Sequence, residues 1–178
     1  MPHFLRCTRR TFLRLSGAAC VLAATPAWAA ANPRSLSFAH THTGEALTVT
    51  YWREGRYVAD ALAAVNHLLR DFRTGDHHVI DPTLLDYLHA VQCTLSCDAP
   101  FGVISGYRSP ATNEMLQRSS SGVATSSLHL VGRAIDVRIP GIKTAKLRET
   151  AAALRRGGVG YYPASGFVHL DTGRYRQW

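Results

Sequence analysis

Two histidines and one aspartate in the second half of the chain have side chains that can act together on a metal ion. His129 and Asp136 lie within the segment Ser127–Asp136, and His169 follows in the later segment Phe167–Asp171. Two imidazoles and a carboxylate form a donor set that binds divalent zinc and leaves one coordination position open. A water molecule at such a position becomes a nucleophile, so this set predicts a zinc-dependent hydrolase.

The local pattern around these residues favours convergence on one side of a sheet. Side chains alternate between faces along a strand, so Ala134 and Asp136 share a face of the strand predicted over 133–139. The small side chain of Ala134 leaves space on that face. His169 lies in the middle of a second predicted strand, so its side chain can converge on the same site, and Asp171 should approach it as well.

Spacing alone leaves ordinary interpretations open. A histidine within an apolar strand is more often a hydrogen-bonded core residue than a ligand, and Asp136 can be a buried salt-bridge partner. Other histidines offer competing clusters, but none has an acid nearby in a constrained setting. We interpret them as surface residues: His40 with His42, His77 with His78, and the helical His67 and His89.

Hydrophobic periodicity outlines the elements that must position the site. Asp81 before Pro82 and Ser109 before Pro110 are typical helix starts. The pattern predicts a β-hairpin over 36–42 and 47–52, helices over 57–72, from 82 onwards, over 110–116 and over 144–156, and strands over 101–105, 133–139, 159–162 and 166–171. Helices come first and strands predominate later, so we expect a single α+β domain with a small, largely antiparallel sheet packed by helices.

The first residues have the features of an export signal. Arg9 and Arg10 form a twin-arginine pattern, and a modestly apolar run over 15–24 is shorter than the roughly 20 residues that span a bilayer. Ala27-Trp28-Ala29 resembles a cleavage site. We therefore predict a twin-arginine signal peptide over 1–29 and a periplasmic domain over 30–178 without a membrane span; lipid attachment at Cys20 is the less favoured alternative.

Composition restricts the class of partner. The predicted signal carries four arginines and no acid, so its removal lowers the net charge from +8 to +4. This mild excess does not indicate a nucleic-acid binder, whereas it suits a polyanionic cell-envelope polymer. Cys93 and Cys97 remain; their spacing does not indicate a redox pair, and a disulfide between them is left open, as is the oligomeric state.

The motifs resemble those of a known peptidase family. Ser-x-His-x-x-Gly-x-Ala-x-Asp over 127–136 is similar to the first zinc motif of the M15 peptidases, and 105–109 is similar to their Ser-Gly-Tyr-Arg segment. Phe167-Val168-His169 occupies the position of their last ligand. The closest resemblance, over 36–178, is to the exported murein endopeptidase K-like branch, long known only as the domain of unknown function DUF882.

The resemblance implies a fold and a set of roles. The family shares its fold with the hedgehog amino-terminal domain and includes D-alanyl-D-alanine carboxypeptidases and peptidoglycan endopeptidases. By resemblance, His129, Asp136 and His169 bind Zn²⁺. Arg108 matches an arginine expected to contact the scissile carbonyl or the substrate, with a structural ion pair as the alternative. Ser127 either binds substrate or braces its loop.

One expected group is missing from the chain. Many members of the family carry a glutamate three residues before the last histidine, or a histidine two residues before it. Gly166 and Phe167 occupy these positions here, and neither transfers a proton. Asp171 is the best remaining candidate for a general base, although a role as the acceptor that orients a ligand imidazole is slightly favoured.

These observations lead to one principal expectation about function. The chain is expected to be an exported zinc endopeptidase that hydrolyses amide bonds in peptidoglycan cross-links, either D-alanine–diaminopimelate or diaminopimelate–diaminopimelate. One alternative is a carboxypeptidase that removes a terminal D-alanine. The other is a non-catalytic zinc module that binds peptidoglycan, which the missing acid at Gly166 motivates.

Overall fold

The computed structural model describes residues 32–119 and 124–178. The predicted signal peptide and Cys20 lie outside the described residues. Within the described part of the chain, no helix is both long enough and apolar enough to cross a membrane.

A single eight-stranded sheet with four α-helices makes up the domain. The strands are β1 (Arg34–His40), β2 (Ala46–Arg53), β3 (Arg56–Tyr57), β4 (Phe101–Ser105), β5 (Ala134–Arg138), β6 (Gly158–Tyr162), β7 (Phe167–Asp171) and β8 (Arg176–Gln177). The helices are α1 (Ala59–Leu68), α2 (Pro82–Leu95), α3 (Pro110–Ser119) and α4 (Thr144–Leu154). The strand order is β3-β2-β1-β4-β5-β7-β6-β8. The chain is therefore an α+β domain, as predicted.

The sheet differs from the predicted small, largely antiparallel one, because it is mixed. β1 pairs in parallel with β4, and β6 pairs in parallel with β8. The first parallel pair arises because both α1 and α2 lie between its strands and allow a crossover connection. The two-residue strands β3 and β8 were not predicted, since they are too short to show alternation. The two predicted hairpins, β1–β2 and β6–β7, are confirmed.

The helices begin where the sequence predicts, apart from α1. Asp81 accepts a hydrogen bond from the Thr83 N–H, which caps α2 with Pro82 in its first turn. Ser109 Oγ accepts from the Thr112 N–H at 3.2 Å at the start of α3. α1 begins two residues later than predicted, because the Val58 N–H still donates to the Tyr51 carbonyl of β2, and it also ends earlier, at Leu68. Cys93 and Cys97 are free thiols.

The two central strands that face the site also supply the core. On β5, Ile135 and Val137 are fully buried, and on β7 Val168 and Leu170 are fully buried. These apolar residues alternate with Asp136 on β5 and with His169 on β7. Because the apolar side chains pack on one face of the sheet, Asp136 and His169 point to the opposite face. Burial of each such aliphatic side chain stabilises the fold by about 1.5–3 kcal/mol. The packed core therefore holds the register of the strands that carry the site.

Gly132, at the end of the turn that carries His129, is expected to be intolerant of a side chain. Its φ is +66°, and a Cβ there would lie 2.2 Å from the Val79 carbonyl oxygen. Gly132→Ala should lower the free energy of unfolding by about 3 kcal/mol or more, because backbone strain and a clash add together. Urea denaturation measures the effect. Gly166→Ala is the matched control, since its φ is +70° but no atom lies within 4 Å of the added Cβ; equal losses in the two variants would contradict the expectation.

Candidate active site

The pairing of β5 with β7 brings Asp136 and His169 side by side. Asp136 is the direct cross-strand partner of His169 in this antiparallel pair. Directly opposed residues point to the same face of a sheet with their Cβ atoms about 5 Å apart. His169 Nδ1 lies 2.9 Å from Asp136 Oδ1 as a result. Both side chains are almost completely buried.

A short 3-10 turn over Leu128–Val131 brings His129 to the same place. Ser127 begins this turn, and its Oγ accepts a hydrogen bond from the His129 N–H at 3.4 Å. Gly132 ends the turn in the left-handed region, which turns the chain into β5. Ser127 therefore braces the loop that carries His129, and it also lines the cleft described below.

The three predicted ligands are brought together within bonding reach of a single ion. His129 Nε2 lies 3.2 Å from Asp136 Oδ1 and 3.1 Å from His169 Nδ1. In a tetrahedral zinc site with bonds of about 2.0–2.2 Å, neighbouring donors lie about 3.3 Å apart. Within the two described ranges, this is also the one group of three or more His, Cys, Asp or Glu residues that could hold a metal ion.

Hydrogen bonds on the far side of each ring determine which nitrogen is free. His129 Nδ1 lies 2.6 Å from the Gly106 carbonyl oxygen, which can only accept, so Nδ1 carries the proton. His169 Nε2 lies 3.0 Å from Asp171 Oδ2 and carries the proton of that ring for the same reason. In the neutral rings, two nitrogen lone pairs and one carboxylate oxygen therefore face each other. Such a set of acceptors needs a cation between its members.

Burial and charge lower the pKa values of His129 and Asp136, as metal binding requires, and raise that of His169. Burial lowers the pKa of His129, which keeps its Nε2 lone pair available. Burial alone would raise the pKa of Asp136, but the charges and hydrogen bonds of His129 and His169 outweigh it and hold the pKa well below its ordinary value. Burial alone would lower the pKa of His169, yet hydrogen bonds to Asp136 and Asp171 outweigh it and raise the pKa. The cluster thus attracts positive charge, whether a proton or a metal ion.

Arg108 contacts the site through the carboxylate of Asp136. Its guanidinium forms an ion pair with Asp136 Oδ2, and its Nε donates to Ser105 Oγ at 2.9 Å. The Arg108 N–H donates to the His129 carbonyl at 3.2 Å, which joins the backbone of the two segments. The residue after Arg108 is held as well, because the buried Asp71 accepts from both the N–H and the Oγ of Ser109 at 2.8 Å. The arginine is therefore fixed at the edge of the ligand cluster.

Asp171 lies behind His169 and has no free lone pair facing the ligands. Its Oδ2 accepts from His169 Nε2 and from Arg176 at 2.7 Å. Its Oδ1 accepts from the N–H groups of Gly158 and Gly173 and from Arg176. Burial alone would raise the pKa of Asp171, but these hydrogen bonds, led by that of His169, outweigh it and lower the pKa strongly. The imidazole ring of His169 separates this carboxylate from the converging donors.

A cleft of about 540 Å³ opens over the three ligands. Sequence reasoning identified several of its lining residues, but it missed Tyr162, Arg176 and Trp178. One signal was present in the sequence: Gly160, within a strand, indicates the close approach of another group. The lining consists of Arg108, Ala124, Ser126, Ser127, Leu128, His129, Asp136, Tyr162, Ser165, Phe167, His169, Arg176 and Trp178.

Among residues 32–119 and 124–178, the competing histidines form no second group of three or more possible metal donors, although one of them was placed wrongly. His40 is buried and not a surface residue. Its Nδ1 accepts from the N–H groups of His42 and Thr43, and its ring packs edge-on against Phe72. A histidine at the end of a strand can thus cap the following turn, which the alternation pattern does not reveal. His42, His67, His77 and His78 are exposed and His89 is half-buried.

Comparison with known proteins gives a consistent result over nearly the whole chain. The M15-type family model described as peptidoglycan L,D-endopeptidase MepK matches residues 28–178. The peptidoglycan L,D-endopeptidase MepK of Escherichia coli (strain K12) is 42% identical over 175 residues, with 96% of each chain covered. The probable peptidoglycan L,D-endopeptidase MepK of Haemophilus influenzae is 40% identical over 176 residues, covering 96% of this chain and 95% of that protein.

A solved structure also matches in part. It is the L-Ala D-Glu endopeptidase ChiX of Serratia marcescens, with a TM-score of 0.34 and 24% sequence identity. The match covers 43% of this chain and 62% of that one.

Proposed function

Because this chain belongs to the peptidoglycan L,D-endopeptidase MepK family, we propose that it is a metal-dependent murein endopeptidase that hydrolyses peptide cross-links of peptidoglycan. The observation that carries the metal dependence is the convergence within about 3 Å of three atoms that can donate a lone pair to one ion, His129 Nε2, Asp136 Oδ1 and His169 Nδ1. Zinc suits two imidazoles and one carboxylate. When bound, it supplies an activated water and polarises the scissile carbonyl.

The name of the related enzymes, L,D-endopeptidase, favours one of the two cross-links. An L,D bond joins the carbonyl of an L-centre to the amine of a D-centre. The diaminopimelate–diaminopimelate link has this configuration, whereas the D-alanine–diaminopimelate link joins two D-centres. We therefore propose the diaminopimelate–diaminopimelate bond as the substrate of this chain.

The side chains around the ligands have separate roles in this proposal. Arg108 neutralises Asp136 and directs its remaining N–H groups at the oxygen that becomes negative as the amide is attacked. Ser127 holds the loop of His129 and offers a hydroxyl to the substrate backbone. Asp171 keeps the His169 proton on Nε2 and so directs the Nδ1 lone pair at the metal, which is a positioning role.

Residues outside the described structure complete the proposal. We propose that residues 1–29 direct twin-arginine export, and that the domain acts in the periplasm, where peptidoglycan lies. The hedgehog-like fold family remains part of the same proposal, on the resemblance of the motifs.

The experiment that tests the function uses cross-linked muropeptides. Purified protein is incubated with dimers that contain a diaminopimelate–diaminopimelate link or a D-alanine–diaminopimelate link, with chelator, without it, and with zinc restored. We expect chelator-sensitive loss of the first dimer, restored by zinc, with monomers as products by chromatography. Release of D-alanine from intact dimers would indicate a carboxypeptidase instead.

A second candidate function rests on the absence of a free base. Among the described residues that line the cleft, the only carboxylate is Asp136, which is a proposed ligand. A non-catalytic zinc module that binds peptidoglycan would need no base. It predicts full metal occupancy and binding to sacculi, without hydrolysis of any dimer in the experiment above.

Asp171→Asn is expected to weaken metal affinity by about 10–100-fold, because the amide no longer holds the His169 proton as a carboxylate does. Competition with a chelator of known affinity measures the change. Asp60→Asn is the control, since Asp60 is an exposed acid in the first turn of α1. Unchanged affinity together with a large loss of turnover would instead indicate that Asp171 transfers a proton.

A further inference from the structure

The indole of Trp178 forms one wall of the cleft beside the ligand His169. We propose that Trp178 is a specificity-determining residue whose indole packs against the methylene chain of a diaminopimelate residue at the scissile bond. This inference rests on the proposed function and names the substrate group that the wall selects. Trp178 lies outside the motifs that resemble those of the M15 peptidases.

The position of Trp178 follows from the pairing of three strands. β8 runs parallel to β6 with Val159 opposite Gln177, so Trp178 follows next to Gly160. Gly160 is in turn the cross-strand partner of His169. A Cβ on Gly160 would lie 2.7 Å from the indole ring, so the indole occupies the space that a side chain would fill there. The rings of Trp178 and His169 are 5.3 Å apart between centroids.

The indole is held in place and yet remains open to the cleft. Its Nε1 donates to the Tyr162 hydroxyl at 2.9 Å, and the guanidinium of Arg176 lies 4.8 Å from the ring centroid. The Trp178 N–H donates to the Val159 carbonyl at 3.2 Å. Despite these contacts, 49% of the residue is exposed. A rigid aromatic face that needs no ordering on contact is a preorganised binding surface.

Two neighbouring aromatic residues extend the apolar wall that Trp178 forms. Tyr162 and Phe167 stack with their centroids 4.6 Å apart, and both line the cleft with Trp178. Polar residues, among them Ser126 and Arg108, also line the cleft. A cleft with one aromatic wall and a few polar groups discriminates by the apolar area that a ligand offers to that wall.

The distance to the ligand identifies which part of the substrate meets the indole. A group in contact with Trp178 is within one residue of the bond at the metal, because the indole is adjacent to His169. At a diaminopimelate–diaminopimelate link, both flanking residues carry a run of methylene groups. The sugars of peptidoglycan are attached at the start of the stem peptide, away from this bond. The aliphatic side chain is therefore the group within reach.

The test compares two sugar-free cross-linked peptides. One contains the natural diaminopimelate–diaminopimelate link, and in the other the methylene run of the cross-linking residue is shortened to a single methylene. The proteins are the wild type, Trp178→Ala, Trp178→Phe and the control Tyr175→Ala, an aromatic residue of the same segment that packs against Arg155 outside the cleft. Metal content and melting temperature are measured for each.

We expect the wild type to prefer the natural link by at least about 10-fold, since each buried methylene contributes about that much or more to discrimination. Trp178→Ala should lose most of this preference through a higher KM for the natural link, with unchanged metal content. Trp178→Phe should retain most of it, and Tyr175→Ala all of it.

Three outcomes distinguish failure of the inference about Trp178 from failure of the proposed function. Equal losses on both peptides in Trp178→Ala, or a loss seen only with sugar-bearing muropeptides, would overturn the inference while the proposed function stands. If the wild type cleaves neither these peptides nor the cross-linked muropeptides, the proposed function fails. Calorimetric binding of the two uncleaved peptides to the wild type and to Trp178→Ala then tests the same preference.

Discussion

Replacing His129 with alanine is expected to lower kcat/KM on the diaminopimelate–diaminopimelate dimer by at least about 1,000-fold. The reason is that two remaining donors, Asp136 and His169, do not hold zinc firmly against water. Loss of the ion removes both the activated water and the polarised carbonyl, which together contribute several kcal/mol to lowering the barrier. Each 1.36 kcal/mol corresponds to a tenfold change in rate.

The measurement combines metal analysis with muropeptide digestion on the same preparation. Metal content should fall from about one ion per chain to near zero in His129→Ala. His67→Ala is the control, because His67 is an exposed histidine on α1 whose side chain pairs with His77 and Glu45 and is not a proposed ligand. A folded His129→Ala protein with full metal content and normal turnover would rule out the proposed ligand set.

The second large effect is expected at Arg108. Arg108→Ala should reduce kcat by about 100-fold while zinc remains bound, because a fixed charge directed at a developing oxyanion contributes about 2.7–4 kcal/mol when the site excludes water. The guanidinium is well placed for this, since its side chain is only 13% exposed and its Nε is held by Ser105. The variant should change KM much less than kcat.

The controls for Arg108 separate catalysis from structure. Arg108→Lys keeps the charge but loses the planar fork, and we expect an intermediate rate. Arg118→Ala is the surface control, because the Arg118 side chain is 80% exposed and pairs with Glu114. If Arg108→Ala lowers stability or metal content but leaves kcat per metal-loaded enzyme unchanged, Arg108 serves only as an ion-pair partner of Asp136.

The groups that hold the rings of His129 and His169 explain why the expected losses of activity are large. The ring of His129 is held by the Gly106 carbonyl, and that of His169 by Asp171. Gly106 itself packs closely against Leu69, since a Cβ there would lie 2.6 Å from the Leu69 carbonyl oxygen. Because both imidazoles are directed by buried partners, we expect little reorganisation to accompany metal binding.

Much of the fold was predictable from local patterns. The alternation along β5 and β7 correctly assigned Asp136 and His169 to one face, because the period of a strand is two and its other face must be apolar. The starts of α2 and α3 were predictable from Asp81 and Ser109, since capping depends on neighbouring residues. The parallel pairing of β1 with β4 was not predictable in this way, because it depends on which distant segments share a sheet.

The same distinction between local patterns and distant contacts applies to the site. The sequence by itself determined the donor types and the order in which they occur, since residue identity and spacing set the chemistry and the local geometry. Only the tertiary structure decided which nitrogen of each ring is free, that both oxygens of Asp171 are already engaged, and that Trp178 lies beside His169. These features depend on contacts between segments far apart in the chain, such as β8 with β6 and Gly106 with His129. Local periodicity carries no information about such contacts, which form only when the sheet and its loops pack together.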